Sequence, residues 1–179
     1  MTELPGGPVP LTEDDLRDRL AGMYEEYFTR IARYAYIHIG NRHEAEDLAE
    51  DTFMRALESL KTYRERGVPV QAWLFKIAHN LVVDHLRKKT RRRTLPVDDC
   101  RTDSGEDAEA VAETKIEVER VKKAMKELTP EQQEVISLRF FSGFTSKETA
   151  AIMDKNDGAV REMQRNALIR LRRLLSAGF

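Results

Sequence analysis

Arg161, Glu162, Arg165 and Asn166 are the residues whose types and spacing are best suited to chemistry with another molecule. Spaced by one and four positions, they share one face of a helix. Arginine and asparagine pair with guanine and adenine edges, and glutamate accepts from the cytosine amino group. A second candidate is the basic run Arg87, Lys88, Lys89, Arg91, Arg92 and Arg93, with Trp73, Phe75 and Tyr63 nearby in sequence. Such a run is suited to phosphate, and such aromatics can stack on or pocket single-stranded bases. The bland alternative for both is a solvated helix face, with Trp73 as a core residue.

Catalysis has little support. His38, His43, His79 and His85 form no metal-binding pair, and none neighbours the single cysteine, Cys100. No glycine-rich phosphate loop and no nucleophile elbow occurs. The carboxylates read as belonging to polar helix faces or a linker. A non-enzyme without metal or cofactor is therefore expected. Lys plus Arg is 30 against 31 for Asp plus Glu, a net charge of -1. Arrangement, not balance, must carry any nucleic-acid affinity. The lone cysteine fits a reducing compartment, and no apolar run is long enough to insert in a bilayer.

The elements that hold these residues are helices throughout. Leu16, Leu20, Met23, Tyr24, Tyr27, Ile31, Tyr34 and Ala35 recur every three or four residues. So do Ala45, Leu48, Ala49, Thr52, Phe53, Ala56, Leu57 and Leu60, after a break at Gly40 and Asn41. Gly67 and Pro69 mark a loop. A helix follows from about Pro69 to Lys89, with Pro69 in its first turn and Trp73, Leu74, Ile77, Ala78, Leu81, Val82 and Leu86 as its apolar stripe. Between positions 98 and 113 seven acids face one base, Arg101, so this stretch reads as a flexible acidic linker.

Beyond the linker, Thr129-Pro130-Glu131-Gln132 and Thr145-Ser146-Lys147-Glu148 are two capping boxes. The first opens a helix ending near Gly143, and the second a short helix through Met153. A polar turn from Asp154 to Gly158 leads to a longer helix. Its expected buried stripe is Val160, Met163, Ala167, Leu168, Leu171, Leu174 and Leu175. Short helix, turn and long basic helix make a helix-turn-helix. The expected architecture is all-α, with two small helical domains joined by the linker. It divides into a disordered tail (1–14), a first domain (15–93), the linker (94–114) and a second domain (115–179).

Three motifs in order resemble the extracytoplasmic-function (ECF) family of bacterial RNA polymerase sigma factors. AEDLAEDTFMRAL (45–57) is similar to the family's helix that docks on the polymerase clamp coiled coil. VQAWLFKIAHNLVVDHLRKK (70–89) resembles its minus-ten helix, and the segment from Leu128 to Arg172 its minus-thirty-five module. The resemblance implies that Asp47, Leu48, Glu50, Asp51 and Phe53 bind core polymerase, although Phe53 also reads as core. It assigns minus-ten DNA to the loop residues Arg64, Glu65, Arg66, Gly67 and Val68, with Asn80, Arg87 and Lys88. Arg161, Glu162, Arg165 and Asn166 then face the minus-thirty-five element. Arg170, Arg172 and Arg173 are weaker candidates, suited to phosphate or to a helix C-terminus.

The implied function is promoter-specific transcription initiation in the bacterial cytoplasm, at the nucleoid when active. The implied partners are core RNA polymerase (clamp coiled coil and flap), promoter DNA and an anti-sigma factor. Two departures stand out: Asp154 replaces the usual glycine of the turn, and Met163 and Gln164 replace a basic and an apolar residue. A stand-alone DNA-binding repressor or activator, and an all-helical scaffold, remain as alternatives from the residues alone.

Overall fold

The computed structural model describes residues 13–60, 69–93 and 112–176. Every element among them is helical. The N-terminal module holds α1 (Glu13–Ile39), α2 (Arg42–Leu60) and α3 (Val70–Arg93). The C-terminal module holds α4 (Ala112–Lys126), α5 (Pro130–Ile136), a π-helical turn (Ser137–Phe141), α6 (Ser146–Ile152) and α7 (Asp157–Ser176). Helix α1 begins inside the stretch read as tail, and α4 inside the stretch read as linker.

Local chemistry explains the boundaries. Gly40 ends α1 at φ 71°, a left-handed conformation that costs glycine nothing, and its amide returns to the Tyr36 carbonyl. The Asn41 side chain then caps α2 by accepting from the Glu44 amide. Pro69 lies just outside α3, not in its first turn. Its carbonyl accepts from the Ala72 and Trp73 amides. Both capping boxes form as the sequence specifies, Thr129 with Gln132 and Thr145 with Glu148. Asn156 caps α7, accepting from the Ala159 amide at 2.7 Å.

The apolar spacing buries Met23, Tyr27, Ile31, Tyr34 and Ala35 of α1 against Ala45, Ala49, Phe53 and Ala56 of α2 and Leu74, Ala78 and Val82 of α3. Three expected stripe members are instead solvent-facing: Tyr24, Leu57 and Leu168.

The two modules are docked. Phe75 of α3, fully buried, packs edge-on against Phe144 of the loop before α6, with ring centroids 4.7 Å apart. The expectation that Phe75 stacks on bases is therefore corrected for this arrangement: its ring is covered by the C-terminal module. Arg30 donates to the Ser142 carbonyl at 2.8 Å, and Lys76 pairs with Asp154 at 2.5 Å. At the centre lies Glu134 of α5, which corrects the expectation that carboxylates occupy only polar faces or the linker. Its Oε1 accepts from the Tyr34 hydroxyl and, at 2.9 Å, from His79 Nδ1, while His38 Nε2 lies 3.2 Å from Oε2.

Burial would push the Glu134 carboxyl up, but the His79 hydrogen bond, both imidazoles and the Tyr34 hydroxyl outweigh it and hold the group below its ordinary value. Burial pushes His38 below the usual imidazole value of 6.5, Glu134 partly opposing and His79 reinforcing the shift. The contribution of Glu134 is therefore present above the ordinary carboxylate range and lost as pH falls through its depressed value. His38 resists a proton that the unfolded chain accepts, so the folded state also loses ground below about pH 6.5. Both effects have the same sign but act in different ranges: between about pH 7.5 and about pH 5 the thermal midpoint falls because of His38, and Glu134 adds to the fall only below its ordinary value of 4.5. His38→Asn should flatten that fall, and an unchanged slope would rule out the imidazole as its source.

Leu138 is fully buried inside the π-helical turn, so Leu138→Ala should cost about 2–5 kcal/mol. Thr129→Ala, which removes one cap, should cost only about 1 kcal/mol. Urea denaturation of both variants measures the contrast, and equal losses would contradict the packing described.

Candidate polymerase and nucleic-acid interfaces

Helix α2 turns one side to α1 and α3 and leaves the other in solvent. Asp47, Glu50 and Asp51 are exposed there, at the three- and four-residue spacing that groups them on one face. Leu48 is half-buried. Phe53 is only 5 % exposed and lies against Tyr24, with centroids 4.9 Å apart, and more distantly Phe28. Phe53 therefore shapes this surface from beneath and does not present its own ring. Met54, 61 % exposed, and Leu57, 41 %, continue the acidic face into an apolar one. Sequence reasoning missed Met54, whose signal was an apolar residue out of phase with the buried stripe. The start of α2 is tied to the end of α3 by Glu44, which meets His85 Nε2 at 2.9 Å and Lys89 Nζ at 3.6 Å.

Helix α3 carries two opposed faces. Leu74, Ala78, Leu81 and Val82 are buried, while Asn80, Asp84, Arg87, Lys88 and Arg91 line the exposed side at helical spacing. The helix runs to Arg93, so the backbone of the basic run is helical. Trp73 is half-buried against the core, in keeping with its bland reading. The loop residues Arg64, Glu65, Arg66, Gly67 and Val68 lie outside the described residues.

Helix α7 presents Arg161, Glu162, Arg165 and Asn166 to solvent together. Arg161 is engaged within the module: its guanidinium meets Asp157 at 2.7 Å and Ser146 Oγ at 3.4 Å. It must give up a surface ion pair to meet a base, a loss of only about 0.3–0.5 kcal/mol. Val160 and Ala167 are fully buried, and Met163, Gln164 and Leu171 half-buried. Gln164 accepts from Arg139 Nε at 2.9 Å, and Arg139 also donates to the Phe144 carbonyl. A polar bridge thus seats α7 on the π-helical turn where an apolar side chain was expected. Met163 packs inward, so no basic group could act from that position here.

The turn before α7 holds Asp154 at φ 53°. Glycine adopts this left-handed region freely, and aspartate is among the few residues that tolerate it. The turn therefore keeps a left-handed conformation of the kind glycine adopts freely. Among the described residues no cluster of His, Cys, Asp and Glu is arranged to hold a metal ion, and no helix is long and apolar enough to cross a membrane.

Comparison with known proteins identifies the family. Residues 23–92 match the Sigma-70 region 2 family model and residues 124–173 the Sigma-70 region 4 model. The ECF RNA polymerase sigma factor BldN of Streptomyces coelicolor is 35 % identical over 161 residues, covering 88 % of this chain and 61 % of the relative. The chain thus spans under two thirds of that protein's length. It covers 80 % of the ECF RNA polymerase sigma factor SigD of Mycobacterium tuberculosis, at 31 % identity over 169 residues and 90 % of this chain. Among solved structures, the sigma factor RpoE in complex with the anti-sigma factor NepR from Bartonella quintana shares the fold. Its TM-score is 0.72 at 24 % identity, covering 90 % of this chain and 99 % of that one. With region 2 and region 4 in order and relatives aligned along most of its length, the chain belongs to the ECF family of RNA polymerase sigma factors.

Proposed function

We propose that the protein binds core RNA polymerase through the exposed face of α2 and directs it to promoters, with α3 and the 64–68 loop acting at the minus-ten element and α7 at the minus-thirty-five element. The observation that carries this reading is the separation of faces. Each helix that matches a sigma motif buries its apolar stripe and leaves outward the side chains suited to its task. On α2 these are acids and Met54, on α3 Asn80 with cations, on α7 Arg165 and Asn166. Such a factor supplies contacts and no catalysis of its own. Its place of action is the cytoplasm, at the nucleoid when engaged.

An anti-sigma factor is the expected regulatory partner, since the structure of RpoE that shares this fold is a complex with one. Phe140 and Phe141, both about half-exposed on the π-helical turn, offer a docking point for the polymerase flap. Free DNA affinity of the second module should be weak and salt-dependent, because few contacts are available to it. Tethering to polymerase then supplies the effective concentration that makes a weak reader sufficient.

The double variant Asp47→Lys with Asp51→Lys should abolish pull-down of core polymerase while leaving helical content intact. Retained pull-down would remove α2 as the docking helix. A duplex promoter bound tightly without polymerase would instead favour a stand-alone DNA-binding regulator.

Among the described residues Arg165 has no ion pair to compete with a base, so Arg165→Ala should flatten the penalty for changing one minus-thirty-five base pair. The loss is about 1–3 kcal/mol of discrimination. Arg161→Ala, which also frees Asp157, should lower activity more evenly across promoter sequences. Run-off transcription of both variants on single-base promoter variants measures the difference. If neither shifts preference nor strength, α7 is not the reader.

A further inference from the structure

The exposed face of α7 continues past Asn166. Ile169 follows Arg165 by four residues and Asn166 by three, the spacing that stacks side chains on one side of a helix. Val160 and Ala167 are fully buried. With successive side chains about 100° apart, Ile169 points about 180° away from Val160 and about 160° away from Ala167. It therefore lies at the middle of the outward face. It is 43 % exposed and belongs to neither buried core.

An isoleucine gains nothing at such a place from the fold. It loses side-chain freedom in a helix and meets water there, so neither propensity nor burial accounts for it. Its surroundings are cationic: Arg165, Arg172 and Arg173, all exposed, lie three or four residues from it. An apolar side chain ringed by cations suits a partner that is anionic at its edges and apolar at one point between them. The major groove of duplex DNA has that character. Phosphates border it, and the C5 methyl of thymine is an apolar group on its floor. From Arg165 to Ile169 the helix advances about 6 Å, close to two base-pair steps of about 3.4 Å. A helix lying along the groove thus brings Ile169 over the base pairs beyond those that Arg165 meets.

We propose that Ile169 reads the C5 methyl of one thymine in the minus-thirty-five element, beside the base pairs met by Arg165 and Asn166. The assignment rests on α7 being the minus-thirty-five reader. It adds to the polar readers an apolar contact that distinguishes thymine by its methyl group alone.

Deoxyuridine supplies the probe, because it lacks that methyl and keeps every hydrogen bond of the base pair. Thymines of the minus-thirty-five element are replaced one at a time, on either strand, and run-off transcription is measured with core polymerase and the full chain. The wild type should initiate about fourfold less from the template lacking one particular methyl, the value of one such group taken out of water. Ile169→Ala should lose about the same factor on the thymine template and be indifferent to that methyl. The combined loss should be no larger than either alone, since both changes remove one contact. Ile169→Val, which keeps a branched apolar side chain, should retain the sensitivity. Helical content and thermal midpoint should match wild type in both variants, because the side chain is exposed.

A wild type indifferent to every methyl, an Ile169→Ala variant that keeps the wild-type sensitivity, or losses that multiply would each overturn the assignment. Arg165→Ala separates the two levels of failure. If it still alters base preference, α7 remains the reader and only the role of Ile169 falls. If neither residue affects promoter preference, the reader assignment of α7 falls with it.

Discussion

A carboxylate removed from water must be met by donors or give up its charge, and the placement of Glu134 obeys that constraint. The Tyr34 hydroxyl and the His79 and His38 imidazoles close around it. Their positions set how α5 sits on α1 and α3, and through α5 the orientation of everything C-terminal to it. The Phe75–Phe144 contact adds edge-on aromatic packing at this boundary, and such packing is less demanding of register than a buried carboxylate. A desolvated pair of this kind is a poor source of net stability and a good source of specificity, because every near-miss leaves a charge unanswered.

The same economy of polar groups seats the DNA-facing helix. The π-helical turn inserts one residue beyond an α-helical register, turning Leu138 inward while Phe140 and Phe141 point out. Arg139 spans from this turn to the Phe144 carbonyl and to Gln164. The side chain that looked out of place in the apolar stripe of α7 is the acceptor that fixes its distance from the preceding element. Asp154 behaves likewise. It adopts the backbone conformation the turn demands and adds a carboxylate that a glycine would lack, directed at Lys76.

Helix α3 is where these arrangements meet function. It buries its apolar stripe against α1 and α2, gives Phe75, Lys76 and His79 to the C-terminal module, and keeps Asn80, Arg87 and Lys88 in solvent. Adjacent residues thus serve different partners, since successive side chains on a helix point about 100° apart. Docking of the C-terminal module covers one sector of α3 without obstructing the cationic sector or the acidic face of α2.

Both capping boxes, the break at Gly40, the helix-turn-helix, the exposed acids of α2 and the outward face of α7 were legible in the sequence, because each depends on contacts within a few residues. Caps are settled by residues three apart, and amphipathic faces by a period of 3.6. The order of the three motifs likewise carried the family. The sequence could not show that Glu134 is buried, or that His38 and His79 converge on it. Those residues are 55 to about 100 positions apart, and each alone looks like an ordinary polar side chain. Nor did it place Phe75, which spacing leaves beside the stripe and a second module covers. Tertiary structure decided these matters for one physical reason: burial of a polar group depends on where its partners are brought from, and local periodicity carries no record of distant partners.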